Sequence, residues 1–313
     1  MSATAGPALI DAVAADVDRL CTAEPDVRQD LPDSVHKMRV ATRRLRSVLK
    51  SYRRVLRRRA VGEITDELRW LAGLLGVARD AEVRAERFTA LLGDAGVPLD
   101  DAVPASVDAA VQTGAMQSVP AEKKATRQED FGQRLVAEER AIYADAHRAV
   151  VDAFDNDRYT ALLGTLHALI TDPPLKDSCA TEPAEPVFTK VLRRDLRELR
   201  HLVHSEHGLA DADRIERLHD IRKAAKRLRY SAEAATTVLG KPAENLGKQA
   251  KHLQGVLGDH RDAVEALHTI RTHVADTAES GYQRLCDAEE AAAARALEAY
   301  PNAVEFVHHH PLS

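Results

Sequence analysis

Apolar positions recur three and four residues apart along most of the chain, while alternating runs of β-branched residues are nearly absent. This period of about 3.6 residues predicts an all-α protein. Helices are expected over about 8–22, 33–60, 63–92, 121–154, 156–170, 187–206, 211–239, 241–275 and 278–300. Two seams are especially regular. One runs through Val35, Met38, Thr42, Leu45, Leu49, Tyr52 and Leu56, and the other through Leu218, Ile221, Ala225, Leu228, Ala232, Ala235 and Leu239. Pro32 and Asp33 mark the start of the first of these helices, and Asp211 caps the entry to the second. The stretch from Asp172-Pro173-Pro174 to Glu185-Pro186 cannot continue a helix and reads as a linker. It divides the chain into halves at 1–170 and 187–313, with 171–186 between them.

The polar positions beside the first seam are cationic. His36, Arg39, Arg43, Arg46, Lys50, Arg53 and Arg57 follow one another at spacings of 3 and 4, which stacks them in one stripe. Like charges so placed cost a few tenths of a kcal/mol per pair, so a bound polyanion is expected to compensate them. Each stripe position lies one residue, about 100° of rotation, from the apolar seam. The cations should therefore line the edge of a helix–helix groove. Between Ser34 and Gly62 there are 11 Lys or Arg and no Asp or Glu, so the net charge of −5 splits into +11 there and −16 elsewhere. A local cationic groove on an anionic body holds a polyanion at one place and repels it elsewhere.

The pattern occurs twice. His219, Arg222, Lys226 and Arg229 repeat His36, Arg39, Arg43 and Arg46 at an offset of 183, and that second row stops at Glu233. Leu71 to Ala81 matches Leu253 to Ala263 at an offset of 182. Two copies are too few for a solenoid, which points to two helical bundles related by a pseudo-twofold axis, with the basic helices facing a shared cleft. A third row, Lys190, Arg193, Arg197, Arg200 and His204, has the same spacing and is expected to face that cleft. Its counterpart around Leu9 to Arg19 is acidic. Arg69 and Lys251, which align at 182, are further candidates. Arg79-Asp80 and Arg261-Asp262 read as structural pairs that join helices or cap turns at Gly76 and Gly258.

Other chemistries find little support. Cys21, Cys179 and Cys286 are far apart without a CxxC pair, and the acidic N-terminal stretch lacks the basic start and apolar run of a signal peptide. No 18-residue apolar stretch occurs, so a cytoplasmic protein without membrane contact is expected. There is no HExxH, no Cys/His cluster and no GxxxxGK[ST], so neither a metal nor a cofactor is expected. Scattered exposure is expected for His308, His309 and His310. Sequence-independent nucleic-acid binding is the main alternative, because its electrostatic demands overlap. Only Tyr52 and Tyr230 interrupt the basic helices as aromatics for base stacking.

In His36-Lys37-Met38-Arg39 with Arg43-Arg44-Leu45-Arg46, in Leu68-Arg69-Trp70-Leu71 to Arg79-Asp80, in Leu218-His219 to Lys226-Arg227-Leu228-Arg229-Tyr230 and in Lys251-His252-Leu253-Gln254-Gly255-Val256-Leu257-Gly258, the sequence resembles the CHAD (conserved histidine α-helical domain) family. The likeness spans most of residues 8–300. It implies two helical bundles forming one domain, and non-catalytic binding of inorganic polyphosphate in a basic central cleft. Carried onto this chain, the binding positions are His36, Arg39, Arg43, Arg46, Lys50, His219, Arg222, Lys226 and Arg229. Arg53 from the stripe, with Arg193, Arg197, Arg69 and Lys251, is expected to add to them. The partners implied are polyphosphate itself and proteins of polyphosphate metabolism, with attachment to polyphosphate granules as a use. A polyphosphate-processing enzyme is less favoured, since the ExExK array of the triphosphate tunnel enzymes sometimes joined to CHAD domains is missing.

Overall fold

A computed structural model describes residues 3–94, 121–274 and 282–309. The expected helix start at 278 and His310 lie outside these. The described chain is helical throughout: α1 (Ala5–Arg28), α2 (Ser34–Ser51), α3 (Arg58–Asp94), α4 (Ala121–Phe154), α5 (Asp157–Thr171), α6 (Asp177–Ala180), α7 (Ala184–His204), α8 (Asp211–Leu239), α9 (Lys241–Val274), α10 (Tyr282–Val304) and α11 (Phe306–His309).

The order of packing repeats. α1 lies on α2, α2 on α3 and α3 on α4; α7 lies on α8, α8 on α9 and α9 on α10. The two basic helices α2 and α8 touch at the centre. Both seams supply the reason. Val35, Met38, Thr42, Leu45, Leu49, Tyr52 and Leu56 are all buried, as are Leu218, Ile221, Ala225, Leu228, Ala232 and Ala235. Burial of apolar side chains contributes roughly 25 cal/mol per Å² removed from water, so these seams drive the central contact. They join α1, α5 and α7 residues in one continuous core that runs through both halves. A second, smaller cluster built on Phe88, Leu135, Ile270 and Leu285 brings the far ends of the α3–α4 and α9–α10 hairpins together. Arg87 seals that contact by donating to the buried Glu289.

Local chemistry sets the boundaries. α2 ends at Ser51 rather than near residue 60. There the buried Tyr52 donates its hydroxyl to the Ser231 carbonyl of α8 at 2.9 Å, which fixes the chain at the seam. The next residues pair with the linker: Arg57 N–H donates to Pro174 O at 2.7 Å and Lys176 N–H to Val55 O at 2.8 Å. Residues 182–184 are likewise bonded to residues 3–5. α2 begins straight after Asp33, but Asp33 sits at φ 60° and its side chain caps nothing. Between α8 and α9 the chain reverses at Gly240 alone, whose φ of 63° is a conformation glycine adopts without steric cost.

Candidate anion-binding cleft

The stripe of cations on α2 opens onto a cleft of about 780 Å³ walled by α2, α3, α7 and α8. α2 supplies Arg43, Arg46, Ser47 and Lys50, and Arg53 follows just beyond its end. α3 supplies Arg58, Gly62, Thr65 and Arg69; α8 supplies Asp220, Lys223, Lys226 and Arg227; and α7 supplies Glu198 and Leu202. The two carboxylates at the wall are occupied, Glu198 by Arg227 at 2.6 Å and Asp220 by Lys223 at 2.5 Å. Arg227 also lies 3.6 Å from Asp195, which is fully buried and accepts from Ser51 at 3.0 Å.

Arg43, Arg46, Lys50 and Lys226 are different. Among the described residues none of them has a hydrogen bond or ion pair. The Nε atoms of Arg39, Arg43 and Arg222 are buried without an acceptor among the described residues. A buried donor left unmet costs about 1–3 kcal/mol, so the arrangement stores a demand for acceptors. Lys226 shows the electrostatic consequence. Burial, with Arg43, Arg222, Arg39 and Arg46 around it, pushes its ammonium from the ordinary lysine range down to about 7. Burial, Arg69 and Arg43 also lower Arg46.

Deeper in, pseudo-symmetry is visible side chain by side chain. The Arg39 guanidinium lies over Gly76 and that of Arg222 over Gly258, 3.9 and 3.6 Å from where a Cβ would stand. Arg39 donates to Asp80 at 2.9 Å, and Asp262 stands beside Arg222, pulling against the burial that lowers this arginine. Gly76 and Gly258 are therefore surfaces for arginines inside unbroken helices, not turns, because α3 and α9 run straight through them. The aspartates of the Arg79-Asp80 and Arg261-Asp262 pairs face the basic helices, which accounts for their structural reading.

Other expected site residues fall elsewhere. His36 and His219 do not line the cleft. Burial first, then Arg79 for His36 and Arg261 for His219, lowers both imidazoles below their ordinary value, so both are neutral at pH 7. Arg193 and Arg197 are exposed on α7 and are not part of the cleft wall, which that helix forms with Glu198 and Leu202. One residue of offset, about 100° of rotation, separates the row from that face. The end of the row is structural: Arg200 donates twice to Val307 O, and His204 meets the His308 ring edge-on at 5.3 Å. Lys251 is exposed on α9, away from the cleft. Arg229 is bound by Glu233 at 2.8 Å. Arg69 reaches the rim, where it also pairs with Asp66 at 2.8 Å. Arg58, Lys223 and Arg227 are cleft residues that the stripe reading passed over. Lys223 and Arg227 are four apart on α8, so helical spacing alone could have found them. Among the described residues no group of three or more His, Cys, Asp or Glu is placed to hold a metal ion, and no helix is long and apolar enough to cross a membrane.

A family model described as the CHAD domain matches residues 11–271. The chain belongs to the CHAD family. Two uncharacterised proteins from two strains of Mycobacterium tuberculosis are each 34% identical over 266 residues, covering 84% of this chain and 45% of their own length. The chain thus spans less than half of the curated relatives it matches. Among solved structures, PptA from Streptomyces chartreusis superposes with a TM-score of 0.70 at 19% identity, covering 97% of this chain and 100% of that one. The CHAD domain from the plant Ricinus communis superposes with a TM-score of 0.63 at 20% identity, covering 98% and 92%. At these identities the superpositions establish the all-α CHAD fold.

Proposed function

We propose that the cleft between α2, α3, α7 and α8 binds inorganic polyphosphate without turning it over. The observation that carries this reading is the group of Arg43, Arg46, Lys50 and Lys226, four cations that meet at one cleft with no carboxylate partner among the described residues. Each guanidinium offers a planar fork of two parallel donors to a tetrahedral phosphate. Along α2 such donors follow one another at roughly 5 Å, from a rise of about 1.5 Å per residue. A chain of phosphates meets that spacing with a charge at every step.

Two features favour polyphosphate over nucleic acid and over catalysis. Tyr52 and Tyr230 are fully buried in the core, so the basic helices offer no aromatic platform for bases. Phosphoryl transfer calls for carboxylates that hold metal ions, whereas Glu198 and Asp220 are engaged by Arg227 and Lys223. Binding without turnover suits a module that attaches a protein to polyphosphate granules or to enzymes of polyphosphate metabolism.

The test is a calorimetric titration with long-chain polyphosphate at about 0.15 M salt, with RNA and pyrophosphate as competitors and released phosphate monitored. Tight binding that weakens steeply with salt, with no phosphate released, is the expected result. Stronger binding to RNA, or release of phosphate, overturns the reading.

A further inference from the structure

The chain duplicates its basic helix, and the duplication supplies two flanks to the α2–α8 pair. One flank is the cleft. At the offsets already noted, Arg43 corresponds to Lys226, which lines the cleft itself, while the other flank has Arg229 for Arg46, Glu233 for Lys50 and, in the register of α3 and α9, Glu244 for Gly62. The exchange of Lys50 for Glu233 changes more than one charge. The Glu233 carboxylate accepts from Arg229 Nε at 2.8 Å and, through its other oxygen, from Arg44. Arg44 is at the same time held by Asp16 at 2.8 Å, a carboxylate with a fully buried side chain. Arg229 reaches Gln254 as well, at 3.4 Å. The counterpart of Arg229 on the cleft side, Arg46, has no partner among the described residues.

We infer that Glu233 is an internal counter-ion that closes the second flank to anions, so that the protein carries one polyanion track where its duplication laid out two. The inference rests on the polyphosphate reading of the cleft. Bridging two guanidinium groups with two oxygens is what a phosphate would do at that place. Because the carboxylate belongs to the helix, it binds without loss of translational freedom, an advantage no free anion has. An arriving phosphate would also meet its charge. Glu244, at the position where the cleft has only Gly62, is already paired with Lys248 at 2.5 Å, so the closing charge on that side is that of Glu233. Glu233 is thus a specificity-determining residue: it confines a long anion to one path and sets how many phosphates the protein engages.

The test compares the full chain with E233Q, R229A and R46A, each checked for unchanged thermal unfolding, and measures the affinity for long-chain polyphosphate from about 0.05 to 0.3 M salt. In E233Q the amide retains shape and loses charge, which frees Arg229. The slope of log affinity against log salt should steepen by about 0.7, one additional phosphate contact, and affinity at low salt should rise at least about threefold. R46A should weaken binding about tenfold, while R229A, removing a guanidinium already neutralised, should cost less than about threefold. If the parent binds, and E233Q matches it in slope and affinity or R229A costs as much as R46A, the inference is overturned and the polyphosphate reading stands. If neither the parent nor E233Q binds, both fall together.

Discussion

The two basic helices share a sequence pattern and differ in their surroundings. On α2 the cations Arg43, Arg46 and Lys50 have no partner among the described residues, and the cleft beside them is open. On α8, Arg229, the counterpart of Arg46, is taken by Glu233, and Arg222 lies against Asp262, while Lys226 stays without a partner among the described residues. Arg44 and Arg227, which correspond to each other, are both tied to buried aspartates, Asp16 and Asp195. A stripe of arginines therefore does two jobs in this fold. Where carboxylates reach it, it joins helices; where they do not, its donors stay unmet at the cleft, where the proposed anion would meet them. Which job a given arginine performs depends on its neighbours across the helix interface more than on its place in the motif.

The largest expected effect is on the open flank. Replacing Arg43, Arg46 and Lys50 together by Ala should weaken polyphosphate binding at least about 100-fold, since charged hydrogen bonds contribute about 1.5–3 kcal/mol each. The same truncation of Arg229 and Lys251 on the other side should cost less than about threefold. Titration of both variants checks the contrast, and equal losses would break it. Next come the buried aspartates. Asp195→Ala removes the acceptor of Ser51 and Arg194 and uncovers Arg227, so urea unfolding should show a loss of about 3 kcal/mol. Binding by the folded fraction should change little, because Asp195 lies behind the cleft wall.

Reversing a single charge is a smaller perturbation. Lys50→Glu copies Glu233 onto the open flank and should weaken binding about tenfold at 0.15 M salt, with a shallower salt dependence. The pH response is the smallest and most specific effect. Burial and the surrounding arginines push Lys226 down to about 7, and a bound polyanion would favour the charged ammonium, so binding should take up a proton. Affinity should rise several-fold as the pH falls from 8 to 6, with net proton uptake on binding near neutral pH. In K226R, which stays charged, the dependence should flatten. His36 and His219 titrate below their ordinary range, so any contribution from them should lie at lower pH than that of Lys226.

Much of this was legible in the sequence, and the failures have physical causes. The apolar seams marked the core, since period and burial have the same origin in helix geometry. The basic stripe located Arg43, Arg46 and Lys50 for the same reason. Beyond Lys50 the stripe was misleading as a helix: the chain bends at Tyr52, where the Tyr52 hydroxyl donating to the Ser231 carbonyl and the backbone bonds of the linker prevail over local propensity. Arg53 keeps its place at the cleft although it lies outside the helix, because that bend carries it along the same wall. Gly76 and Gly258 suggested turns, yet each is a flat spot on a long helix under an arginine, a relation that only the packing of two elements creates. The α7 row has the right period and the wrong rotation, since spacing fixes which residues share a face and leaves open what that face meets. The pairing of Glu233 with Arg44, 189 positions away, was equally out of reach.

The most direct measurement is a crystal structure of the protein with long-chain polyphosphate. Phosphates within hydrogen-bond distance of Arg43, Arg46 and Lys226, following α2 towards Lys50, with none between Arg44 and Arg229, are the predicted result. Phosphates on the Arg229 flank or on the exposed Arg193–Arg197 face of α7, with the cleft empty, would contradict the account.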